Sequence, residues 1–278
     1  MMALVKGDTS FCITIACRII KVLENKEIPW QRPWTGWSVN IGYPANIRTE
    51  TKFSGINFIL CQLASKKHKF ISKWWGEQFD FDILSYTIHP RPDEVIPGEW
   101  CTQAVLYNKG ISSIRLYNAD QCCKIKDSLL PRPKLKPDYI LADNVLHSTN
   151  ADIKFTESDV SFYHYHPDDY ITMPKKEIFE SGLGKLPSYY DTLAHELMHW
   201  TEDRLEYNLS ASVPERELRA EIGAAMLAEE LHFPHNIINS NFEKWREAWI
   251  AMIRDDVNSL FRAAEGAFDG ANYILGTI

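Results

Sequence analysis

The chain has little that could cross-link it or anchor it in a membrane. Its six cysteines show no C-x-x-C spacing, which argues against a disulfide framework or a cysteine-rich zinc module. No apolar run reaches the length of a membrane span, and the run Phe11–Ile20 lacks a basic leader and a small-residue cleavage site. With 45% hydrophobic and 24% charged residues, the composition is that of a globular protein. We therefore expect a cytoplasmic protein with reduced thiols.

Charge is distributed unevenly along the chain. Residues 1–130 carry 16 Lys and Arg against 12 Asp and Glu, whereas residues 131–278 carry 14 against 25. Such a difference between two halves predicts two domains with partners of different kinds. The segment 131–137 contains three prolines, which exclude regular structure. The sequence thus predicts domains at 1–130 and 138–278, joined by a proline-rich linker at 131–137.

One pentapeptide carries the strongest chemical signal. Residues 195–199 read His-Glu-Leu-Met-His, the H-E-x-x-H pattern of zinc peptidases. In a helix, His195 and His199 project from one face one turn apart, with Glu196 beside them to poise a metal-bound water. No proline or glycine lies between Asp191 and Leu209, and Asp191 with the next residue offers an amino-terminal cap. The alternative is a helix with two surface histidines.

A catalytic zinc needs a third protein ligand and an open position for water. The helix predicted downstream, capped by Ser212 with Pro214 in its first turn, supplies two carboxylates four residues apart. Glu221 lies among apolar residues, where a carboxylate needs a charged partner, so it is the preferred third ligand. Glu217 remains open as the substitute ligand, as a residue behind the ligands, or as the partner of a surface arginine.

The amino-terminal half combines helix and strand signals, which predicts a small α+β domain. A helix is predicted from Thr9 towards Lys26. Strand-like stretches at Cys101–Tyr107 and Ile114–Tyr117 flank an Asn-Lys-Gly turn at residues 108–110. The residues expected on the inward face of the helix are Ile13, Ala16, Cys17, Ile20 and Leu23.

Aromatic residues interleaved with Lys and Arg suit single-stranded nucleic acid in this half. Flat rings stack on unpaired bases, while cations follow the phosphates. The alternative is that the tryptophans belong to the core. The candidate DNA contacts are Trp30, Arg32, Trp34, Asn46, Arg48 and Asn57.

Several motifs follow one another along nearly the whole chain. They are Ile28–Trp34, Pro44–Asn46, Phe53–Asn57, Pro97–Glu99, Tyr117–Gln121, Tyr165, Asp169–Pro174, Phe179, Tyr189–Thr201, Arg204 with Leu205, and Glu217–Leu227. In these motifs and their order, the chain resembles the ArdC-type antirestriction proteins. The resemblance is loose between Phe70 and Ile96, where an acidic, proline-rich piece is added, and after Pro234.

The resemblance implies a single-stranded-DNA-binding domain followed by a zincin-like metallopeptidase domain, encoded on a plasmid or phage. Such a protein would bind Zn²⁺, or another divalent metal such as Mn²⁺. It would protect incoming DNA from host defence by acting on DNA-associated proteins, with no membrane partner. Two alternatives stay open. One is a non-proteolytic DNA-binding shield with a structural or idle metal site, and the other is a peptidase whose amino-terminal module binds protein.

The resemblance also implies a catalytic arrangement. Asp169–Pro174 would be the strand beside the active-site helix that pairs with an extended substrate. Glu196 would accept a proton from the metal-bound water and pass it to the leaving amine. A donor for the developing oxyanion would come from one of four side chains: His164, Tyr165, His166 and Tyr207.

Overall fold

The computed structural model describes residues 9–31, 42–107, 111–123, 139–181, 186–207, 211–235 and 239–276. The chain divides into two compact units, Met1–Lys134 and Leu135–Ile278. The predicted linker at 131–137 lies outside the described residues, as do Arg32, Trp34 and the turn at 108–110. Both units mix helices and strands, which confirms the predicted α+β class.

The first unit is a small α+β fold built on a mixed sheet. Its sheet has the strand order β1-β2-β5-β4, with β1 and β2 parallel and the other pairs antiparallel. A second ribbon pairs β3 with β6. The elements are α1 (Thr9–Glu24), β1 (Ala45–Asn46), α2 (Ile56–His68), β2 (Trp74–Gly76), α3 (Gln78–Ile83), β3 (Thr87–Ile88), β4 (Thr102–Tyr107), β5 (Ile111–Asn118) and β6 (Cys122–Cys123).

Helix α1 has the predicted span but a different buried face. Ile13 is 45% exposed and Cys17 is also exposed, so both were wrongly placed inward. The residues that α1 does bury are Cys12, Ile15, Ala16, Ile19, Ile20 and Leu23. The helix is apolar on more than one side, so two neighbouring stripes both satisfy helical spacing. Packing, not periodicity, decides between them.

Strands β4 and β5 pair as an antiparallel hairpin, as predicted, and Asn57 of α2 hydrogen-bonds to it. Asn57 donates to the backbone oxygen of Val105 at 2.8 Å and accepts from the backbone nitrogen of Val105 at 2.7 Å. Its amide thus satisfies both backbone groups of one β4 residue, as a neighbouring strand would. The hairpin and α2 are thereby fixed together around a core that includes Trp75 and Leu116.

A buried carboxylate joins three further pieces of the first unit. Asp80 accepts hydrogen bonds from the side chain of Asn46 (2.8 Å), from Arg48 Nε (2.6 Å) and from the backbone nitrogen of Glu77 (3.1 Å). Gly76 leaves the space for it, since an added Cβ there would lie 2.9 Å from Asp80 Cβ. One side chain therefore joins β1, the start of α3 and the end of β2.

The second unit places a layer of helices against a small mixed sheet. Its strands have the order β7-β9-β8, with β9 parallel to β7 and antiparallel to β8. Helix α6 packs on β8 and β9, and α7 packs on α6 and α9. The elements are α4 (Tyr139–His147), β7 (Asp152–Thr156), β8 (Phe162–His164), β9 (Tyr170–Pro174), α5 (Lys176–Ser181), α6 (Leu186–Arg204), α7 (Val213–Leu231), α8 (Asn239–Asp255) and α9 (Val257–Ile274).

Two glycines let α7 and α9 approach α6 closely around Met198. A Cβ added at Gly223 or at Gly270 would lie 2.4 Å from the terminal methyl of Met198, closer than real contacts allow. Met198, fully buried, therefore fills the gap between three helices. Because Met198 lies between His195 and His199 in sequence, this packing sets where the α6 face that carries the two histidines points.

The two helix starts differ in how well the sequence predicted them. Ser212 caps α7 as expected, with its hydroxyl accepting from the backbone nitrogen of Glu215, and Pro214 lies in the first turn. Helix α6 instead begins at Leu186, so Asp191 is inside the helix and the predicted cap there is wrong. The Asp191 carboxylate binds the Nδ1 of His235.

Among the described helices, none is both long enough and apolar enough to cross a membrane.

Asp80 provides a test of the first unit. Burial alone would raise its pKa, but the hydrogen bonds from Arg48, Asn46 and the Glu77 backbone outweigh it and lower the pKa. Because the folded-state pKa is the lower one, the carboxylate stabilises the fold above about pH 4. That contribution is lost as pH falls towards the folded-state value. Asp80→Asn should therefore cost about 2 kcal/mol of unfolding free energy at pH 7 and less at pH 3.

Urea unfolding of the whole chain at both pH values measures this difference. The matched control is Asp82→Asn, an exposed carboxylate on the same helix. Equal stability of the two variants at pH 7, or a cost for Asp80→Asn that does not change with pH, would contradict the assignment.

Candidate metal centre

The two histidines of the H-E-x-x-H segment converge as the sequence predicts. Their Nε2 atoms lie 3.2 Å apart on one face of α6. Ions bound tetrahedrally at 2.0–2.1 Å hold their ligand atoms about 3.4 Å apart. The spacing of His195 and His199 therefore matches two ligands of one metal ion.

Glu217, from α7, lies opposite the two rings. Its carboxylate oxygens are each 3.7 Å from a histidine Nε2: Oε2 from His195 and Oε1 from His199. His195, His199 and Glu217 form the potential metal-binding group found among the described residues, with one ligand atom from each lying within 4.8 Å of the others. Glu217, which the sequence left open as an alternative ligand, is thus the carboxylate that faces both Nε2 atoms.

Glu221, the preferred ligand from the sequence, lies on the other side of His195. Its Oε1 is 3.4 Å from the Nδ1 of His195, and it accepts a hydrogen bond of 2.6 Å from Asn241. Its side chain is 5% exposed, against 19% for Glu217. The apolar setting that favoured Glu221 is real, but its charged partner is the imidazole. One turn of α7 separates the two positions.

His199 also lies beside a carboxylate, that of Glu202, which was not predicted from the sequence. Glu202 Oε1 lies 3.4 Å from the Nδ1 of His199, and Glu202 is fully buried. It also accepts hydrogen bonds from Tyr165 (2.8 Å), Arg216 (3.0 Å) and Arg219 (3.4 Å). The sequence does carry a signal for this role, because Glu202 is three residues after His199 and so shares its helix face.

Both imidazoles are therefore held from behind by a carboxylate. This arrangement fixes ring orientation and makes the opposite nitrogen a better metal ligand. If both Nδ1 atoms donate to these carboxylates, both Nε2 atoms present lone pairs to each other at 3.2 Å. Two facing lone pairs at that distance require a cation between them, either a proton or a metal ion. The donor set, two imidazoles and one carboxylate, fits Zn²⁺ and also accommodates Mn²⁺.

The electrostatics of the site favour cations. Burial lowers the pKa of His195, but the hydrogen bond and charge of Glu221, with the charges of Glu196 and Glu217, outweigh it and raise the pKa to about 10. For Glu202, burial raises the pKa, while His199, Arg219 and Arg216 lower it to about 2. The same negative potential that holds a proton on His195 would attract a divalent ion, whose binding would release that proton.

The histidines open onto a cleft of about 730 Å³ that Glu196 and Tyr165 also line. Glu196 is 6% exposed and neighbours His195 in sequence. Tyr165 is the candidate oxyanion donor that lines the cleft. His164 bonds to Thr172 and Tyr207 to Asp269, while His166 is not among the described residues lining the cleft. Burial and the charge of Glu202 raise the Tyr165 pKa, which keeps its hydroxyl protonated.

The strand predicted beside α6 lies there, but little of it is open to a substrate. Residues 170–174 form β9, which lies against α6 and reaches the cleft at Pro174. One edge of β9 is paired with β7 along its whole length, and the other edge is paired with β8 at residues 170–172. The predicted pairing with a substrate could therefore use only residues 173 and 174. Strand β8 is at the edge of this sheet within the described residues, and Phe162 and Tyr163 of β8 line the cleft.

The described DNA-contact candidates are mostly occupied by structural roles. Trp30 is 1% exposed, and the amide of Asn57 is paired with Val105, so neither faces a ligand. Asn46 bonds to Asp80 and accepts from the backbone nitrogens of residues 48 and 49. Arg48 binds Asp80 but keeps 39% of its side chain exposed. The sequence cannot separate a displayed tryptophan from a buried one in a proline-rich segment.

Comparison with known proteins covers both units. Residues 11–111 match the family model described as the N-terminal domain of anti-restriction factor ArdC. Residues 141–266 match the family model of the zincin-like metallopeptidases. The second match includes His195, His199, Glu217 and Glu221. The resemblance drawn from the motifs is thereby confirmed.

Related proteins and solved structures agree with this organisation. Two Escherichia coli proteins named DNA primase TraC are 26% and 27% identical over 94% of this chain, which spans only 19% and 26% of their lengths. An uncharacterized protein y4eC of Sinorhizobium fredii is 20% identical, with 90% of its length covered. Crystal structures of the antirestriction ArdC protein from plasmid R388, metal-free and Mn(II)-bound, share the fold. Each has a TM-score of 0.74, with 22% and 24% identity over 95% and 96% of this chain and 96% and 97% of theirs.

Two carboxylate variants separate the roles of Glu217 and Glu221. Glu221→Gln removes a group behind His195 and should weaken divalent-metal binding by about 10–100-fold. Glu217→Gln removes a group that faces both Nε2 atoms and should cost more than that. Competition with a chromogenic chelator for Zn²⁺ and Mn²⁺ gives both affinities, with Glu180→Gln on the exposed side of α5 as the control. A larger loss for Glu221→Gln than for Glu217→Gln would reverse the assignment.

Proposed function

We propose that this chain, which joins an ArdC N-terminal domain to a zincin-like metallopeptidase domain, is a single-stranded-DNA-binding metallopeptidase of antirestriction type. It would cut proteins associated with incoming DNA and so protect that DNA from host defence. The observation that carries the proposal is the convergence of His195, His199 and Glu217 beside Glu196 at one cleft. An idle or purely structural site would not need a buried carboxylate beside the two imidazoles and an open cleft in front of them.

The ligands in this proposal are His195, His199 and Glu217, with Glu221 and Glu202 orienting the two rings. A divalent ion held there would supply an activated water and polarise the scissile carbonyl. The native ion is proposed as Zn²⁺ from the donor set. Mn²⁺ is the alternative, supported by the Mn(II)-bound state of the ArdC protein from plasmid R388.

In this proposal, Glu196 would transfer protons and Tyr165 would donate a hydrogen bond. Glu196 lies beside the ligands, where its carboxylate can take a proton from water and return it to the leaving amine. Tyr165 lines the cleft with a hydroxyl that stays protonated and that donates to Glu202 in this structure. To serve the oxygen on which negative charge develops, this hydroxyl would have to turn from Glu202 towards the cleft. Glu202, buried beneath Tyr165 and His199, fixes both side chains in place.

Substrate would bind as an added strand along β8. An edge strand offers unpaired backbone groups to an extended peptide, and alternate side chains of that peptide then face the cleft. Phe162 is 45% exposed on this edge, which gives an apolar contact for a substrate side chain. This mode needs an unfolded or extended target and does not need a deep specificity pocket.

DNA binding would act as a tether. A peptidase linked to a DNA-binding unit meets proteins on the same DNA at a high effective concentration. The relatives named DNA primase and the structures of an antirestriction protein support a role on DNA. The chain corresponds to a part of the primases only, so their priming activity does not transfer to it.

Glu196→Gln tests the hydrolytic half of the proposal. It keeps the size of the side chain and removes the base, so hydrolysis should fall by about 10²–10⁴-fold while metal and DNA binding stay unchanged. Cleavage of an unfolded protein such as casein, with and without a single-stranded oligonucleotide, gives the rate. Glu180→Gln on α5 is the matched control and should cleave like the unaltered chain.

The same variant distinguishes a peptidase from a shield. Protection of DNA against a restriction endonuclease in cells should be lost with Glu196→Gln if hydrolysis is the function. Full protection by Glu196→Gln would contradict the peptidase proposal and favour coating of the DNA. Failure of the unaltered, metal-loaded chain to cleave casein or any DNA-bound protein would contradict it too.

A further inference from the structure

A second cleft lies in the first unit, and none of the described DNA-contact candidates from the sequence lines it. Its volume is about 500 Å³, which is within the range of small-ligand sites. Among the described residues lining it there are two arginines and no Asp or Glu, although the whole chain carries a net charge of −7. We propose that this cleft binds one nucleotide of single-stranded DNA. The inference rests on the proposed function and gives its DNA-binding half a location.

The sheet itself places the recognition groups side by side. Gln103 on β4 and Arg115 on β5 are direct cross-strand partners in an antiparallel pair. Tyr117 is two residues after Arg115, so it projects from the same face of β5. On its other side Tyr117 is paired with Gly76, and its half-buried ring packs against the core cluster of Ile47 and Phe81 while still lining the cleft. A cation, an amide and an aromatic ring thus share one surface.

Trp100 also lines the cleft, and hydrogen bonds fix its orientation. Its indole nitrogen donates to the backbone oxygen of His89 at 3.0 Å, and its own backbone oxygen accepts from Gln121 at 2.5 Å. His89 in turn donates from its backbone nitrogen to Gln121 at 2.8 Å. Trp100 is half-buried, so these bonds hold the ring in place while part of it still faces solvent.

The chemistry of this surface suits a nucleotide. Aromatic rings stack on any base, and the exposed guanidinium groups of Arg91 and Arg115 suit the phosphate. The exposed amide of Gln103 can donate to and accept from a base edge, as the edges of unpaired bases require. Arg115 has no carboxylate partner among the described residues, so its charge is available to a ligand.

The acidic residues of the nearby segment do not cancel these charges at the cleft. Glu99 pairs with Lys67 at 2.6 Å. Asp93 and Glu94 are exposed and are not among the lining residues. Several lining residues, including His89 and Arg91, come from the stretch in which the chain departs from the ArdC pattern.

Binding of a fluorescent single-stranded oligonucleotide to the full chain tests the site. Arg115→Gln and Tyr117→Leu should each lower affinity at least about fivefold, the lower end of what one stacked base contributes. Arg115→Gln should also reduce the salt dependence by about one ion. The controls are Lys21→Gln, which removes an equal charge from exposed α1, and Phe79→Leu, which removes a ring that is 65% exposed outside the cleft.

Two outcomes would overturn the inference without touching the proposed function. One is tight binding by the unaltered chain that neither cleft variant weakens. The other is a larger loss for a control variant than for Arg115→Gln. No binding by the unaltered chain would instead contradict the DNA-binding function itself.

Photo-cross-linking keeps the test decisive if a variant fails to fold. An oligonucleotide containing 5-iododeoxyuridine should cross-link to Trp100 or Tyr117 in the unaltered chain, and the modified peptide can be identified by mass spectrometry. Cross-links confined to peptides outside the cleft would overturn the site.

Discussion

The metal-binding face depends on two buried carboxylates that lie behind two imidazoles. Glu202 and Glu221 are almost inaccessible to solvent, and a charge in such a place is unfavourable unless it is paired. Each lies beside the Nδ1 of a histidine, and a ring that turned away would leave its carboxylate with fewer partners in a buried place. The other nitrogen of each ring then faces its counterpart at 3.2 Å. The two carboxylates behind the rings thus orient the Nε2 atoms in front, where a cation would bind.

This electrostatic arrangement requires the helices to be packed with little freedom. Glu202 lies on α6 together with both rings, but Glu221 comes from α7, so His195 keeps its partner only if α6 and α7 hold one separation. Met198, enclosed by Gly223 on α7 and by Gly270 on α9, fixes that separation from the core side. The stretch after Pro234, which carries few of the recognised motifs although the family match extends to residue 266, supplies α9 and also Asn241, which bonds to Glu221. Segments that look peripheral in sequence therefore support the site.

The sequence predicts a residue's position where that position is set by neighbours in the same helix, and it fails where packing between helices sets the position. The H-E-x-x-H face and the Ser212 cap are set within one helix, and both agree with the structure. Glu217 and Glu221 share a face of α7, so their roles depend on how far α7 is displaced along α6, which only tertiary packing fixes. Burial was a sound reason to expect a partner for Glu221, but it did not identify that partner. Trp30 shows the same limit, since a loop between prolines is compatible with either a displayed or a buried ring.

In the proposed function, the two units bind ligands with opposite electrostatic requirements. The candidate metal centre places four carboxylates, Glu196, Glu202, Glu217 and Glu221, around two histidines, and their negative potential would attract a divalent ion. The same potential repels a phosphate backbone, so one compact site cannot serve both ligands. A DNA-binding surface must be free of unpaired carboxylates, as are the described walls of the cleft around Arg115 and Trp100. The net charges of the two halves, positive before residue 131 and negative after it, agree with these opposite requirements. Joining the units in one chain would then provide, by tethering, the proximity that a shared site cannot.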